Sequence, residues 1–302
     1  MGRTAGSSGY HFGLLGWPVG HSLSPAIHRA ALEAWDLDGE YALYPAPPLP
    51  AGRQALETHL QRLRQGDLHG LNVTIPHKRS VVPMLDGLSG SAEGVGAVNL
   101  IYRENDRLLG DNSDAPAFMN DLQRLYGVDG RVGTALVLGA GGAARAAVYA
   151  LLQAGWQVYV AARRIGSAYQ LADDLARWTS SGSRSLTAQP LEPAVLKRLP
   201  ACELVVNATP VGMHPNPHET PWPADTPFPP QAIFYDMVYN PAETVLVKAA
   251  RSAGLEATNG LGMLVEQAAL SFECWTNLPA PRERMWEAAV ASLSHTESPG
   301  PV

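Results

Sequence analysis

Short apolar runs at residues 12–15, 41–44 and 71–74 are each followed by a stretch whose apolar residues recur at helical spacing, at 25–34, 53–64 and 76–85. A strand-then-helix alternation of this kind predicts parallel α/β architecture, because each helix must return to cover the sheet its strand joins. Residues 98–102 and 107–109 flank Glu104-Asn105-Asp106, a turn sequence that predicts a hairpin, and a helix is expected over 115–126. The alternation then restarts, with strands expected at 134–138, 157–161, 203–207 and 233–235 and helices at 142–153, 167–178 and 242–253. A domain boundary therefore falls near 115–132. Residues 260–275 and 282–293 predict two helices with no strand between them, expected to cover the first domain rather than extend the second sheet. Residues 214–230 hold seven prolines, which predicts a stiff surface loop, with an inert connection favoured over a lid. The Gly/Ser-rich start and residues 295–302 are expected to be disordered.

At 302 residues, 46% apolar and 17% charged, the chain has length and apolar content for two domains with their own cores. The 22 basic and 28 acidic residues leave a formal charge of -6 without a basic block, which argues against nucleic acid or an anionic membrane and for a small-molecule partner. Cys202 and Cys274 lie far apart, each in an apolar run, where a lone cysteine acts as a small hydrophobe; a reducing cytoplasm fits. No secretory apolar core occupies residues 1–10, and the apolar stretch 135–162 is broken by Gly139, Gly141, Gly142 and Arg145, so a soluble, cytoplasmic protein is expected. Metal chemistry lacks support, since no His-Glu-x-x-His element or paired cysteine spacing occurs.

Thr134-Ala135-Leu136-Val137-Leu138 is a buried-strand pattern that runs directly into Gly139-Ala140-Gly141-Gly142-Ala143-Ala144-Arg145 and an alanine-rich helix. Strand, glycine turn and helix in that order predict a dinucleotide site: Gly139 for the tight turn, Gly141 for close approach of a pyrophosphate, Ala144 for helix-on-strand packing. Amide groups of Ala140, Gly142 and Ala143 would face the phosphates. Ala161-Ala162-Arg163-Arg164 stands at the end of the next strand, where a carboxylate would accept from a ribose 2′-hydroxyl; paired arginines suit a 2′-phosphate and predict NADP.

Lys78, in Asn72-Val73-Thr74-Ile75-Pro76-His77-Lys78, is one of three lysines against nineteen arginines. Arginine does not lose its proton in a protein and lysine can, so a chain that otherwise uses arginine has kept here a cation capable of acid/base work. A solvated residue in the first turn of a helix opened by Pro76 is the plainer reading of that position taken alone.

In their order along the chain, the motifs resemble those of the shikimate dehydrogenase family. Gly20-His21-Ser22-Leu23-Ser24-Pro25 is similar to its serine pair, the segment ending at Lys78 to its lysine motif, and Ala97-Val98-Asn99 with Gly110-Asp111-Asn112-Ser113-Asp114 to its asparagine and aspartate motifs. Asn207-Ala208-Thr209-Pro210-Val211-Gly212-Met213, Tyr235-Asp236-Met237-Val238-Tyr239-Asn240-Pro241 and Asn259-Gly260-Leu261-Gly262-Met263-Leu264-Val265-Glu266-Gln267 resemble further family signatures. The resemblance implies a two-domain α/β enzyme: an N-terminal substrate-binding and catalytic domain over 1–114 completed by helices at about 261–295, a Rossmann-type NADP-binding domain over 115–260, and an active site in the cleft between them. It implies reversible reduction of 3-dehydroshikimate by NADPH on the route to chorismate, with Lys78 and Asp114 at the reacting oxygen. It assigns Ser22 and Ser24, with Tyr239 near them, to the substrate carboxylate, Asn72, Thr74, Asn99, Asp114 and Gln267 to ring hydroxyls, and Thr209, Met237, Gly260 and Met263 to the cofactor. A helix cap at Asp114 or Ser24 and ordinary packing or turn roles for the others are the structural alternatives. Ala115-Pro116, Leu100, Ala162 and Arg164 depart from the family pattern, and Ala115-Pro116 is expected to stiffen or shift the connection between domains. A quinate or aminoshikimate dehydrogenase, or a silent dinucleotide-binding sensor, as monomer or homodimer, are the competing expectations.

Overall fold

A computed structural model describes residues 9–128, 132–179 and 185–297. The chain divides into two compact units, one made of residues up to Glu93, Ala97–Ser113 and Val265 onward, the other of Gly94–Gly96 and Asp114–Leu264.

The first unit begins with β1 (Tyr10–Gly16), α1 (Ser24–Ala34), β2 (Gly39–Pro45), α2 (Arg53–Gln65) and β3 (Gly70–Val73). β4 (Gly87–Leu88), α3 (Gly90–Val95), β5 (Leu100–Glu104) and β6 (Arg107–Asp111) follow. Its six-stranded sheet has the order β2-β1-β3-β5-β6-β4, with β1 parallel to both neighbours and β5 antiparallel to β3 and β6. Helix α2 forms because Leu56, Leu60 and Leu63 make one buried stripe, and Gly66 at φ +86° ends it in the left-handed conformation. The β5–β6 hairpin turns through Asn105 at φ +55°. Residues 76–85 do not form the expected helix: they run as turns into a single 3-10 turn at Val82–Met84. Pro83 explains this, since in a helix it would lack the donor and collide with the preceding turn. Ser24 is not a helix cap either; it is the first residue of α1, and Leu23 precedes it without a side-chain cap bond. His28, fully buried on α1, stacks on Tyr41 at 4.2 Å between ring centroids, and burial lowers its pKa to about 3, so it stays neutral.

The second unit runs α4 (Asp114–Tyr126), β7 (Thr134–Leu138), α5 (Gly142–Gln153), β8 (Gln157–Ala162), α6 (Ile165–Leu175), β9 (Leu186–Pro190) and α7 (Pro193–Leu196). It continues through β10 (Leu204–Asn207), β11 (Ile233–Asp236), α8 (Val245–Ser252) and β12 (Ala257–Thr258). The sheet is wholly parallel in the order β12-β11-β10-β7-β8-β9. Numbered from its own first strand this is 6-5-4-1-2-3, the doubly wound dinucleotide-binding order, which reverses direction between β7 and β10. The expected helix at 167–178 begins earlier, at Ile165, and turns 3-10 at Ala176–Trp178. That expected at 242–253 starts at Val245, because Thr244 caps it by accepting from the Val247 amide. The proline-rich residues 214–230 lack regular structure and lie mostly at the surface, as expected, but Trp222 is buried, and with Phe228 it packs on Phe234 of β11. The Trp222 indole donates to the Thr226 carbonyl at 2.8 Å, which satisfies its buried N–H.

α9 (Leu261–Thr276) and α10 (Arg282–Glu297) end the chain. Arg282 joins them, donating to Glu266 at 2.8 Å and to Glu273 at 2.6 Å, and α10 packs along α1. Residues 295–297 are therefore helical rather than disordered, while the rest of that tail, the Gly/Ser-rich residues 1–8 and residues 129–131 of the boundary segment lie outside the described residues. Cys274, expected to act as a small hydrophobe, is exposed on α9, whereas Cys202 is buried. Among the described residues no helix is long and apolar enough to cross a membrane.

Candidate active site

In the first unit the candidate residues gather at the C-terminal ends of the parallel strands, where open α/β sheets bind ligands. Ser22 and Ser24 lie beyond β1, and Thr74 and Lys78 beyond β3. Asn99 enters the same end because β5 is antiparallel to β3: Asn72 is opposite Leu100, and the Val73 amide donates to the Asn99 carbonyl at 2.9 Å. The loop carrying Lys78 is anchored on both sides, by the His77 amide on the Thr74 carbonyl at 2.9 Å and the Val98 amide on the Lys78 carbonyl at 2.7 Å. Beneath it the buried His77 imidazole bonds the Ala46 carbonyl through Nε2 at 2.8 Å, so that nitrogen carries the proton. Lys78 is thus held on a fixed loop, partly exposed, rather than on a helix.

A chain of buried hydrogen bonds links the other members. The Tyr41 hydroxyl, held protonated by burial well above the ordinary phenol range, donates to Asn72 Oδ1 at 2.9 Å, and Ser24 hydrogen-bonds the same tyrosine. Asn72 Nδ2 donates to the Asn99 carbonyl at 3.1 Å and to Ser271 Oγ at 2.9 Å, and Ser271 donates in turn to the Gln267 carbonyl at 2.8 Å. Asn99 and Ser113 bond each other twice, amide to hydroxyl at 2.9 Å and backbone to amide oxygen at 2.7 Å. Ser22 Oγ accepts from the Ser24 amide at 3.2 Å. Both amide protons of Asn72 are engaged inside the protein, so it orders its neighbours.

The second unit carries Asp114, buried as the first residue of α4, so the two members of the expected acid/base pair belong to separate units. It also carries the glycine-rich loop, whose two key glycines have different reasons to lack a side chain. Gly139 sits at φ +108°, and a Cβ there would press on Thr209 Cγ2 at 3.0 Å and the Ala208 carbonyl at 3.1 Å. These residues follow β10, so the contact marks the reversal of strand order. Gly141 precedes α5 at φ -84°, a conformation any residue adopts, and a Cβ on it would meet no protein atom within 4 Å. The unfilled space beside a helix N-terminus fits the pyrophosphate of a dinucleotide. Gly142 and Ala143 form the first turn of α5, Ala140 is partly exposed in the loop, and Ala144 is fully buried against the sheet. Arg145, also buried, instead braces α5, donating to the Val95 carbonyl at 2.7 Å and pairing with Asp174 at 2.9 Å. Arg163 and Arg164, both exposed, directly follow the end of β8, the strand neighbouring β7.

Asn207, at the end of β10, and Asp236, at the end of β11, join the segments carrying Thr209, Met237 and Tyr239. Asn207 Oδ1 accepts from the Thr209 amide at 3.0 Å and hydroxyl at 2.7 Å, and its Nδ2 donates to Asp236 Oδ1 at 2.8 Å. Asp236 also accepts from the Val238 amide at 3.0 Å and Thr244 hydroxyl at 2.7 Å. Burial outweighs these bonds and raises its pKa to about 6. Tyr239 is partly exposed, yet the protein around it raises its phenol pKa. Gly260 lies against the Met237 backbone so closely that a side chain there would overlap the peptide, and Met263 is buried in the first turn of α9.

The sequence reading missed Tyr41, Ser271, Asn207, Asp236 and Asp121 as organisers. Asp121 had a visible signal: it continues the buried stripe of Ala117 and Phe118 on α4, where a carboxylate is out of place unless paired.

Residues 14–101 match the family described as shikimate dehydrogenase substrate binding domain, and residues 260–290 that described as shikimate 5'-dehydrogenase C-terminal domain. A shikimate dehydrogenase (NADP(+)) of Salinibacter ruber is 42% identical over 278 residues, 91% of this chain and 95% of the relative. Among solved structures, shikimate 5-dehydrogenase from Thermus thermophilus in complex with NADP(H) and shikimate aligns with TM-score 0.80 and 38% identity over 94% of this chain and all of that one. Quinate dehydrogenase from Corynebacterium glutamicum in complex with NAD aligns with TM-score 0.83 and 30% identity over 94% of this chain and 99% of that one. With identity of this level running through both units, the chain belongs to the shikimate dehydrogenase family.

Proposed function

We propose that this protein catalyses the reversible NADPH-dependent reduction of 3-dehydroshikimate to shikimate. The observation that carries the reading is the coexistence, in one chain so similar to an NADP-linked shikimate dehydrogenase, of an anchored Lys78 loop with an open glycine-rich turn and paired arginines. The first unit supplies Ser22 and Ser24 to the substrate carboxylate and Asn72, Thr74, Asn99 and Gln267 to its hydroxyls, and the second unit supplies Tyr239 to the carboxylate and Asp114 to a hydroxyl. Gly139, Ala140, Gly141, Gly142 and Ala143 hold the pyrophosphate, Arg163 and Arg164 the 2′-phosphate, and Thr209, Met237, Gly260 and Met263 the nicotinamide side.

Bound NADPH supplies the hydride. Lys78 gives a proton to the carbonyl oxygen as carbon is reduced and takes it back when the alcohol is oxidised, and Asp114 holds the ammonium in place. Hydroxyl and amide groups suit the substrate because a polyhydroxy acid needs both donors and acceptors.

The test is the rate at which the purified protein reduces NADP to NADPH or NAD to NADH, with shikimate and with quinate as the alcohol. Turnover confined to shikimate with NADP is expected. Preference for quinate or NAD would replace this substrate and cofactor assignment, and silence in all four would reject the enzyme reading.

A further inference from the structure

Asp121 is the most deeply placed carboxylate of α4 that the chemistry above leaves without a task. Its side chain is 1% exposed, its Oδ2 accepts from the Tyr235 hydroxyl at 2.6 Å, and its Oδ1 pairs with Arg124 at 2.6 Å. Tyr235 is itself fully buried and meets Phe118 of α4 edge-on at 5.1 Å between centroids, so the acceptor is held by a rigid partner. A side chain at Gly262 would fall inside the Asp121 carboxylate. The carboxylate therefore occupies the place of a side chain on the first turn of α9, next to the Leu261 amide that Asn259 caps at 3.1 Å. Two residues before Gly262 comes Gly260, against Met237; one residue after comes Met263.

We infer that Asp121 is a positioning residue for hydride transfer: wedged between Tyr235, Arg124 and Gly262, its carboxylate sets the first turn of α9, and with it the nicotinamide-side surface of Gly260, Met237 and Met263. This rests on the proposed assignment of those three residues to the cofactor. It assigns Gly262 a reason distinct from backbone freedom, the close approach of an acid. The hydrogen bonds of Asp121 go to Tyr235 and Arg124 and to none of the residues assigned to the substrate, the 2′-phosphate or the pyrophosphate, so its loss should disturb alignment more than affinity.

The experiment compares the native chain with Asp121→Asn and Tyr235→Phe, measuring kcat and KM for shikimate and NADP, the affinity for NADPH by its fluorescence, the melting temperature, and the deuterium isotope effect with shikimate labelled at the carbinol carbon. In Asp121→Asn, kcat is expected to fall about 10-fold and the isotope effect to rise, with NADPH affinity within about 3-fold of native. Tyr235→Phe, which removes one hydroxyl, should move the same quantities in the same direction by less, and it serves alone if the asparagine variant does not fold. A native isotope effect and kcat in a folded variant, whatever its melting temperature, would overturn the inference and leave Asp121 a structural group. A native chain that turns over none of the substrate and cofactor pairs would instead reject the proposed function on which the inference stands.

Discussion

The two units prepare for their ligands in opposite ways. In the first, buried side chains hold one another: Tyr41, Asn72, Ser271, Asn99 and Ser113 form a continuous hydrogen-bonded frame at the strand ends. In the second, the decisive loop is backbone and empty space, with Gly139 bent to φ +108° and Gly141 facing nothing. A frame of side chains discriminates by matching donors with acceptors, as a polyhydroxy acid requires; a bare backbone approaches a phosphate closely and reads charge and distance. The first kind of site should fail through chemistry when altered, the second through space.

The largest effect expected from this contrast is at Lys78. Lys78→Ala should lower kcat about 10³-fold with NADPH affinity retained, and Lys78→Arg, which restores charge but gives up no proton, should stay near the alanine rate. An arginine variant near the native rate would remove proton transfer from this residue.

Next comes the buried acid of the second unit. Burial raises the folded-state pKa of Asp236 from 3.8 to about 6, so the native state holds its proton more tightly than the unfolded chain does. The resulting stabilisation is full below about pH 4 and lost as pH rises through about 6, a difference of about 3 kcal/mol for a shift of roughly two units. Asp236→Asn has no such titration, so the unfolding free energy of the native chain minus that of the variant should decline across this window. A difference curve flat from pH 4 to 7 would contradict a raised pKa.

The arginine pair tests whether the backbone site also reads charge. Arg163→Ala with Arg164→Ala should weaken NADP binding about 10- to 100-fold and leave NAD nearly unchanged, which titration of each cofactor would resolve. Equal losses for both cofactors would place the arginines away from the 2′-phosphate. The smallest structural disturbance is Gly141→Ala: the melting temperature should rise slightly, since the added methyl meets no protein atom and restricts the unfolded chain, while NADP affinity falls about 10-fold. Unchanged affinity would show that the space beside α5 is not used by the cofactor.

Much of this arrangement is legible in the sequence because the relevant signals are local. Strand, Gly139-Ala140-Gly141 and helix follow one another directly, and Asn105 announces the hairpin it turns. What the sequence hides depends on distant partners. β9, partly exposed along its length at the sheet edge, lacks a buried apolar run, and β12 is two residues long. Pro76 suggests a helix start, yet Pro83 denies a continuous helix and leaves Lys78 on a loop. Nothing near Asn72 in sequence shows that Ser271, nearly two hundred residues away, takes its second amide proton. The proline count of 214–230 foretells the lack of regular structure but cannot reveal that Trp222 is folded inward over Phe234.

Gly141 also bears on how such a protein can be improved. A campaign that ranks variants by heat resistance sees at this position an ordinary φ and open room, the conditions under which replacing glycine restricts the unfolded chain and adds stability. It would select alanine, and the hardier protein would have traded away its cofactor seat without any sign in its melting curve.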